Sequence, residues 1–415
     1  MSPLWHREKA ADPWLVTFLA GQDHVLDQQL VAYDCRASLA HARMLHGIGV
    51  LAGDELERLE RALAEIAELS ERGEFPITPA DEDCHTAIEN FLTKRCGDAG
   101  RKIHTARSRN DQVLTALRLW EKDAVTRLIA GVDAYVVALE AACFRQGHVA
   151  LPGYTHMQRA MPTTVATWLG SFADAAHDDR EILQLAFRLA DQCPLGTAAG
   201  FGVPVLAIDR ERVARELGFE RVQVNPMYAQ LSRGRLESFL LASCAQVMHG
   251  LNRLASDLML FTTREFGFVE LPDAVCTGSS IMPQKRNADV LELIRGSYHV
   301  VRGEEAKLNG LTASLISGYQ RDLQLTKGPV FAGVVATADA LRAMELVLRG
   351  LHVNEAVCEA ALTDELYATE RALELVARGV PFRDAYHVVA EAETVRRTER
   401  TGIRAQAGGE APPGL

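Results

Sequence analysis

Two stretches of this chain leave few folds open to it. Val113–Phe144 and Leu236–Glu265 are nearly free of glycine and proline, and at a helical rise of ~1.5 Å per residue each reaches about 45 Å. Arg286–Leu308 and Val330–Gly350 continue the pattern. Period-two alternation, the mark of a half-buried strand, is hard to find. The expected class is all-α, built on a bundle of long helices.

Shorter amphipathic segments flank the long ones. From Asp54 the sequence places Leu56, Leu59, Leu63 and Ile66 on one helical face. Asp54 reads as its N-cap, with Glu57 three residues on, and Gly73 as its stop. Tyr33–Leu51 is similar. Near the end, Asn354–Leu362, Thr363–Arg378 and Pro381–Thr401 read as three short helices, with Thr363 as an N-cap ahead of Asp364 and Glu365. The chain is therefore expected to divide into an N-terminal helical domain (1–107), a central long-helix bundle (108–352) and a small C-terminal helical domain (353–415), whose tail from Gln406 reads as disordered.

Charge narrows the function classes. Against 44 Lys and Arg stand 55 Asp and Glu, a net −11, which disfavours nucleic acid as a partner but leaves a locally positive anion site open. The longest uncharged run, Gln192–Ile208, is broken by glycine and proline and falls short of the ~20 apolar residues of a membrane span. The first residues carry no signal-peptide pattern. Eight scattered cysteines without a C-x-x-C pair read as free thiols, so a cytoplasmic location is expected, with neither disulfides nor a zinc site.

The helical pattern is interrupted at Leu151–Pro162, Cys193–Pro204 and Pro272–Pro283, and loops between rigid helices are where chemistry tends to sit. In Thr277–Asn287 (TGSSIMPQKRN) a small-residue loop is followed by Lys285 and Asn287, a cation and an amide suited to a carboxylate or oxyanion. Read blandly, it is a surface turn. In His104–Gln112 (HTARSRNDQ), Ser108, Arg109 and Asn110 precede a long helix, whose N-terminus adds backbone donors for an anion. The plainer reading is a capped helix start, with Asn110 or Asp111 as cap. His156 lies between Thr155 and Gln158 in a Pro/Gly-bounded loop, poised for acid–base work near neutrality, although a single histidine is more often structural. Ser317–Lys327 offers Tyr319, Gln324 and Lys327, and Asp81–Glu89 offers His85 and Thr86. Each has a bland reading as a charged helix start. No segment shows metal-ligand spacing, a nucleophile elbow or a Walker loop.

Taken together, these blocks resemble the fumarase/aspartase superfamily. Gly278-Ser279-Ser280-Ile281-Met282-Pro283, with Lys285 and Asn287, is similar to its signature, and Gln284 after the proline resembles the argininosuccinate lyase family within it. HTARSRNDQ is similar to that family's H-x-G-R-S-R-N-D-Q block, with Ala106 for glycine. LPGYTHMQRAMP, CPLGTAAGFG, GYQRDLQLTK and Leu366–Val389 resemble its other blocks, so the likeness spans about Phe18 to Ala392. Three departures stand out. Asn225–Arg235 reads NPMYAQLSRGR, where many members carry a D-R-D core, and only Arg233 of that core remains. Asp23 stands where the family has serine, four residues before Asp27. Ala288 replaces proline.

The resemblance implies a three-domain all-α fold and a lyase that cleaves argininosuccinate to arginine and fumarate by anti β-elimination, in arginine biosynthesis. Ser279 would be the base, Lys285 and Asn287 would stabilise the aci-carboxylate intermediate, and His156, held by Glu292, would protonate the leaving nitrogen. Ser108, Arg109, Asn110 and Thr155, with Gln158 nearby, would hold the succinyl carboxylates. Tyr319, Gln324, Lys327 and Arg233 would grip the remainder, Asp27 would meet its charged end, and His85 and Thr86 would approach the site. It further implies a homotetramer with sites built from several subunits, a small-molecule substrate, and neither metal nor organic cofactor. The altered Asn225–Arg235 segment favours one alternative, a same-fold lyase releasing fumarate from another N-substituted aspartate; a second alternative is a non-catalytic crystallin-like structural protein.

Overall fold

The computed structural model describes residues 12–407. An N-terminal group contains α1 (Val31–Gly47), α2 (Gly53–Glu71) and α3 (Cys84–Cys96). Five long helices follow: α4 (Arg109–Gln146), α5 (Val165–Ala190), α6 (Arg235–Phe261), α7 (Asp289–Thr312) and α8 (Lys327–Arg349). The described chain closes with α9 (Ala368–Ala377) and α10 (Phe382–Ala407). The all-α class holds, and α5 is a fifth long helix that the sequence reading passed over. The rest of the tail expected to be disordered lies outside the described residues.

Among the described residues, strands occur only in two-stranded pairs. One is a hairpin of β1 (Ala150–Thr155) and β2 (Gln158–Thr164), in the segment read as a loop. Pro152, Gly153 and Pro162 gave it a loop's composition, yet an isolated two-stranded hairpin tolerates proline on its open edges. The other pair important here is β3 (Thr277–Gly278) with β4 (Arg286–Asn287).

The chain divides into two compact units. The first comprises residues up to Tyr135, Ala176–Arg253 and Leu293–Ala343; the second comprises Val136–Ala175, Leu254–Glu292 and the residues from Met344 onward. In the first, Leu59, Leu63 and Ile66 of α2 are buried as the periodicity requires, each stabilising the core by about 1.5–3 kcal/mol. The cap of α2 lies earlier than expected. The helix begins at Gly53, and the Glu55 carboxylate accepts from the Ala52 amide at 2.9 Å. Asp54 falls inside the first turn, where it pairs with Arg58 at 3.1 Å instead of capping. Trp120 of α4 packs on Phe331 of α8, with ring centroids 4.5 Å apart.

In the second unit, Tyr154, Trp168, Phe261, Phe266 and Phe268 form an aromatic cluster, and the Trp168 indole donates to Asp257 at 3.0 Å. Asp364 starts a short 3₁₀ turn with Thr363 at its cap position, and the Thr363 hydroxyl donates to Glu365. Arg371 and Arg396 each bridge Asp364 to Glu393, which ties that turn to α10.

Candidate active site

The Ser279 loop belongs to the second unit and is closed at its base by β3 and β4. Thr277 pairs with Asn287 and Gly278 with Arg286, so Ser279 and Lys285 are the first residues at the two ends of the loop. The Ser279 oxygen accepts from the backbone amides of Met282 at 3.2 Å and Ile281 at 3.4 Å. Arg286 anchors the second strand through the Leu271 carbonyl at 2.9 Å and Asp273 at 2.5 Å, and Thr277 donates to Asp289 at the start of α7. Lys285, Asn287 and Glu292 line one cavity of about 360 Å³. Three of the five expected catalytic residues thus line a common cavity.

His156 is delivered differently. It and Met157 form the two-residue tip of the β1–β2 hairpin, with φ of 53° and 59°. Both lie in the left-handed region, the geometry of a turn that matches strand twist and usually employs glycine or asparagine. Neither residue is of that kind, so the fold holds His156 in a costly conformation and presents it, with Thr155 and Gln158, exposed to solvent. Among the described residues, no hydrogen bond or ion pair joins His156 to Glu292.

In the first unit, the start of α4 is a capping box. The Ser108 hydroxyl accepts from the Asn110 amide at 3.3 Å, and the Asp111 carboxylate accepts from the Ser108 amide at 2.9 Å. Ser108 is therefore the cap, in place of Asn110 or Asp111. The second Asp111 oxygen accepts from the amides of Gly196 and Ala198, at 2.9 and 2.8 Å, which pins the Cys193–Pro204 loop to this helix start. Burial pushes the Asp111 carboxyl up to about 6 despite these donors. Arg109 does not present a free cation. Its guanidinium lies on Asp83 and, at 3.1 Å, on Glu82. Burial disfavours its charge, but the two acids raise its pKa above the ordinary value.

A buried charge cluster lies in the same unit. Lys327, at the start of α8, meets Asp27 at 2.5 Å and Asp23 at 2.9 Å. Burial opposes the ammonium, and the two carboxylates more than restore it, raising its pKa. The second Asp27 oxygen accepts from the Cys84 amide at 3.3 Å. His85 bonds Asp34 at 2.9 Å; burial works against its charge, and Asp34 lifts its pKa above the ordinary value. The Thr86 amide is capped by Asp83 at 2.9 Å. Arg233 is buried, donates to the Leu323 carbonyl at 3.3 Å, and lies over the Tyr319 ring at 5.5 Å; its Nε and Nη1 have no hydrogen-bond partner. Gln324 donates to the carbonyls of Leu19 and Ala20. Asp27, Cys84 and His85 bring three potential metal-ligand atoms within 4.8 Å, but the Lys327 ammonium already stands beside Asp27, and His85 is held by Asp34.

The fold thus gathers the expected residues into separate groups. Lys285, Asn287, Glu292 and Ser279 form one, and Thr155, His156 and Gln158 share the hairpin tip. Ser108, Arg109 and Asn110 open α4; Asp27 holds the buried Lys327 ammonium, Arg233 lies over Tyr319, Gln324 is fixed to Leu19 and Ala20, and His85 and Thr86 stand on α3. The sequence reading missed Asp34, Glu82 and Asp83, the acids that fix His85 and Arg109, and it gave Asp23 and Asp111 no such role. Only the Asp81–Glu89 acid run hinted at two of them.

Residues 9–303 match a family described as Lyase, and residues 365–407 match one described as Argininosuccinate lyase C-terminal. The chain is 46% identical to an argininosuccinate lyase of Thermotoga neapolitana, covering 94% of this chain and 97% of that protein. It is 47% identical to one of Sorangium cellulosum, covering 93% and 90%. Among solved structures, a variant of EDDS lyase with bound fumarate superposes with a TM-score of 0.80 at 24% identity, over 94% of this chain and 78% of that one. A fumarate lyase:delta crystallin from Brucella melitensis bound to cobalt gives 0.76 at 20%, over 92% and 89%. These structural likenesses bear on the fold alone.

Proposed function

The chain belongs to the argininosuccinate lyase family, and on that premise we propose that it releases fumarate from argininosuccinate, leaving arginine, by anti elimination. Identities of 46–47% over more than nine-tenths of the chain favour this carbon–nitrogen lyase over a lyase for another N-substituted aspartate and over a non-catalytic structural protein.

The observation that carries the mechanism is Ser279 under two backbone amides, in the loop that β3 and β4 close and that carries Lys285 at its other end. A serine hydroxyl is a poor base; N–H donors and a nearby ammonium favour its ionised form. Ser279 takes the proton from the carbon beside the substrate carboxylate. Lys285 and Asn287 hold the negative charge that develops on that carboxylate, the demanding part of the reaction. The carbon–nitrogen bond then breaks, and His156 supplies a proton to the leaving nitrogen, oriented by Glu292. Ser108, Asn110, Thr155 and Gln158 hold the succinyl carboxylates. Arg109, tied to Glu82 and Asp83, orders that segment. Tyr319, Gln324, Lys327, Arg233 and Asp27 surround the amine half, with His85 and Thr86 behind them. The chemistry assigned to these residues calls on neither metal nor organic cofactor.

The separate groups meet in a homotetramer, in which several subunits build each site. Supporting this, α7 leaves Leu293 and Val300 exposed, and Gly296, Gly303 and Gly310 repeat at seven-residue intervals with open space above each. Such a face admits a second helix at close range. The enzyme works in the cytoplasm, in keeping with eight free cysteines, and the division at 1–107, 108–352 and 353–415 belongs to the same proposal. No described helix is long and apolar enough to cross a membrane.

The test is to mix the protein with argininosuccinate and follow the ultraviolet absorbance of fumarate. Release that disappears in Ser279→Ala supports the proposal. A well-folded tetramer that releases nothing overturns it.

A further inference from the structure

Beside the hairpin that carries His156 lies a second cavity of the same unit, of about 670 Å³, a size that suits a small ligand. Its wall is aromatic. Tyr154, Phe266 and Phe268 line it, with successive ring centroids 5.9 and 5.6 Å apart. Its charges are of both signs. Arg159, which pairs with Tyr154 across the strands, donates through Nη1 to the Ala361 carbonyl at 3.1 Å and has no other partner among the described residues. Glu265 and Glu365 line the same cavity. Glu265 has no partner among the described residues, and no ion pair there joins it to Arg159. A cation and an anion that share a cavity without touching leave room for a molecule that carries both signs. The cavity also reaches Met157 and Gln158 at the hairpin tip.

We propose that this cavity binds an α-amino acid with a basic side chain. Arg159 takes its carboxylate, Glu265 takes its α-ammonium, and the side-chain cation lies over the rings toward Glu365. The site shares no lining residue with the cavity of Lys285, Asn287 and Glu292. It acts on turnover through the hairpin. The tip holds His156 and Met157 at positive φ, a conformation that persists only while its surroundings impose it. A ligand seated against Met157 and Gln158 changes those surroundings, so occupancy lowers kcat. Arginine, the amine product in the reading above, belongs to this ligand class; the binding claim stands without that reading.

The probe is L-lysine, which is of this class and is not a product of the proposed reaction. The whole protein is titrated calorimetrically with L-lysine, Nα-acetyl-L-lysine and L-lysine amide. Wild type is expected to bind lysine saturably. Removing either charge at the α-carbon weakens binding about 10- to 100-fold, the loss of one charge-assisted hydrogen bond. Glu265→Gln, a change at an exposed side chain, weakens lysine binding by a similar factor and makes acetylation of the ligand nearly indifferent. Its fumarate release without lysine matches wild type. In wild type, lysine lowers kcat and leaves KM for argininosuccinate nearly unchanged. No saturable binding, equal binding of the three ligands, or lysine that only raises KM, as an occupant of the catalytic site would, overturns the inference. The ligand comparison needs no variant and so stands even if Glu265→Gln fails to fold. Wild type that releases no fumarate from argininosuccinate overturns the reading of the reaction, and the titration still decides this site.

Discussion

The Ser279 oxygen lies 3.2 Å from the amide nitrogen of Met282, three residues on in the same loop. The Ile281 amide, at 3.4 Å, adds a second donor. Two N–H groups converging on one hydroxyl make a small oxyanion hole turned on the protein's own side chain. Removing the hydroxyl removes the base and leaves both donors without their acceptor. Ser279→Ala is expected to lower kcat by about 100- to 10,000-fold with little effect on the melting temperature, because the loop is surface-exposed. Steady-state kinetics beside a thermal melt check this; a loss of less than tenfold would contradict it.

Ala106 has a φ of 63°, a left-handed conformation that burdens any residue with a Cβ by about 1 kcal/mol. The related blocks carry glycine at this position, and the geometry explains why. Ala106→Gly is expected to raise stability by about 0.5–1 kcal/mol, read from the denaturant midpoint. The gain is limited by the extra freedom that glycine has in the unfolded chain. A destabilised variant would mean that the Ala106 methyl group makes packing contacts worth more than the strain.

Arg118 sits between two buried acids, Glu121 at 2.9 Å and Glu237 at 3.8 Å. One guanidinium cannot neutralise two carboxylates. Burial is the main force that pushes the Glu121 carboxyl up to about 8, with Glu237 adding to it and Arg118 opposing. The folded state therefore holds a proton that the unfolded chain releases near ~4.3. Stability from this group is full below that value and is lost as pH rises toward about 8, at up to about 1.4 kcal/mol per pH unit. Glu121→Gln is expected to flatten the fall in stability between pH 7 and 8. Denaturant titrations across that window with unchanged slope would count against the shared proton.

The glycine-lined face of α7 makes a claim about assembly. Gly303→Leu fills open space in the isolated chain, so the fold tolerates it. If a second copy packs there, the added side chain forces the helices apart. Sedimentation velocity is expected to show loss of the tetramer, and fumarate release is expected to vanish with it. An intact tetramer of full activity would place the subunit contact elsewhere.

Much of the architecture was legible in the sequence because the long helices carry unbroken periodic faces. Four of the five long helices and the C-terminal trio follow directly from it. The fifth, α5, is longer than α7 and α8, but it begins straight after a segment full of proline and glycine that masks the hairpin as well. Two helix caps were off by two or three residues because several polar residues compete for each first turn; at α4, Asp111 looks like a cap and is the acid that reaches back to one. The site residues themselves were legible as short blocks. Their partners were not, since Asp34, Glu82 and Asp83 reach His85 and Arg109 through tertiary packing that no spacing encodes.

The central claim is that Ser279 and His156 act on one substrate from different subunits. Ser279→Ala and His156→Ala tetramers are prepared separately, each inactive, then partly unfolded together and reassembled. The account predicts that the mixed tetramers regain a substantial share of fumarate release from argininosuccinate, because some sites then combine an intact Ser279 with an intact His156. Mixed tetramers confirmed by mass that remain as inactive as their parents would contradict it.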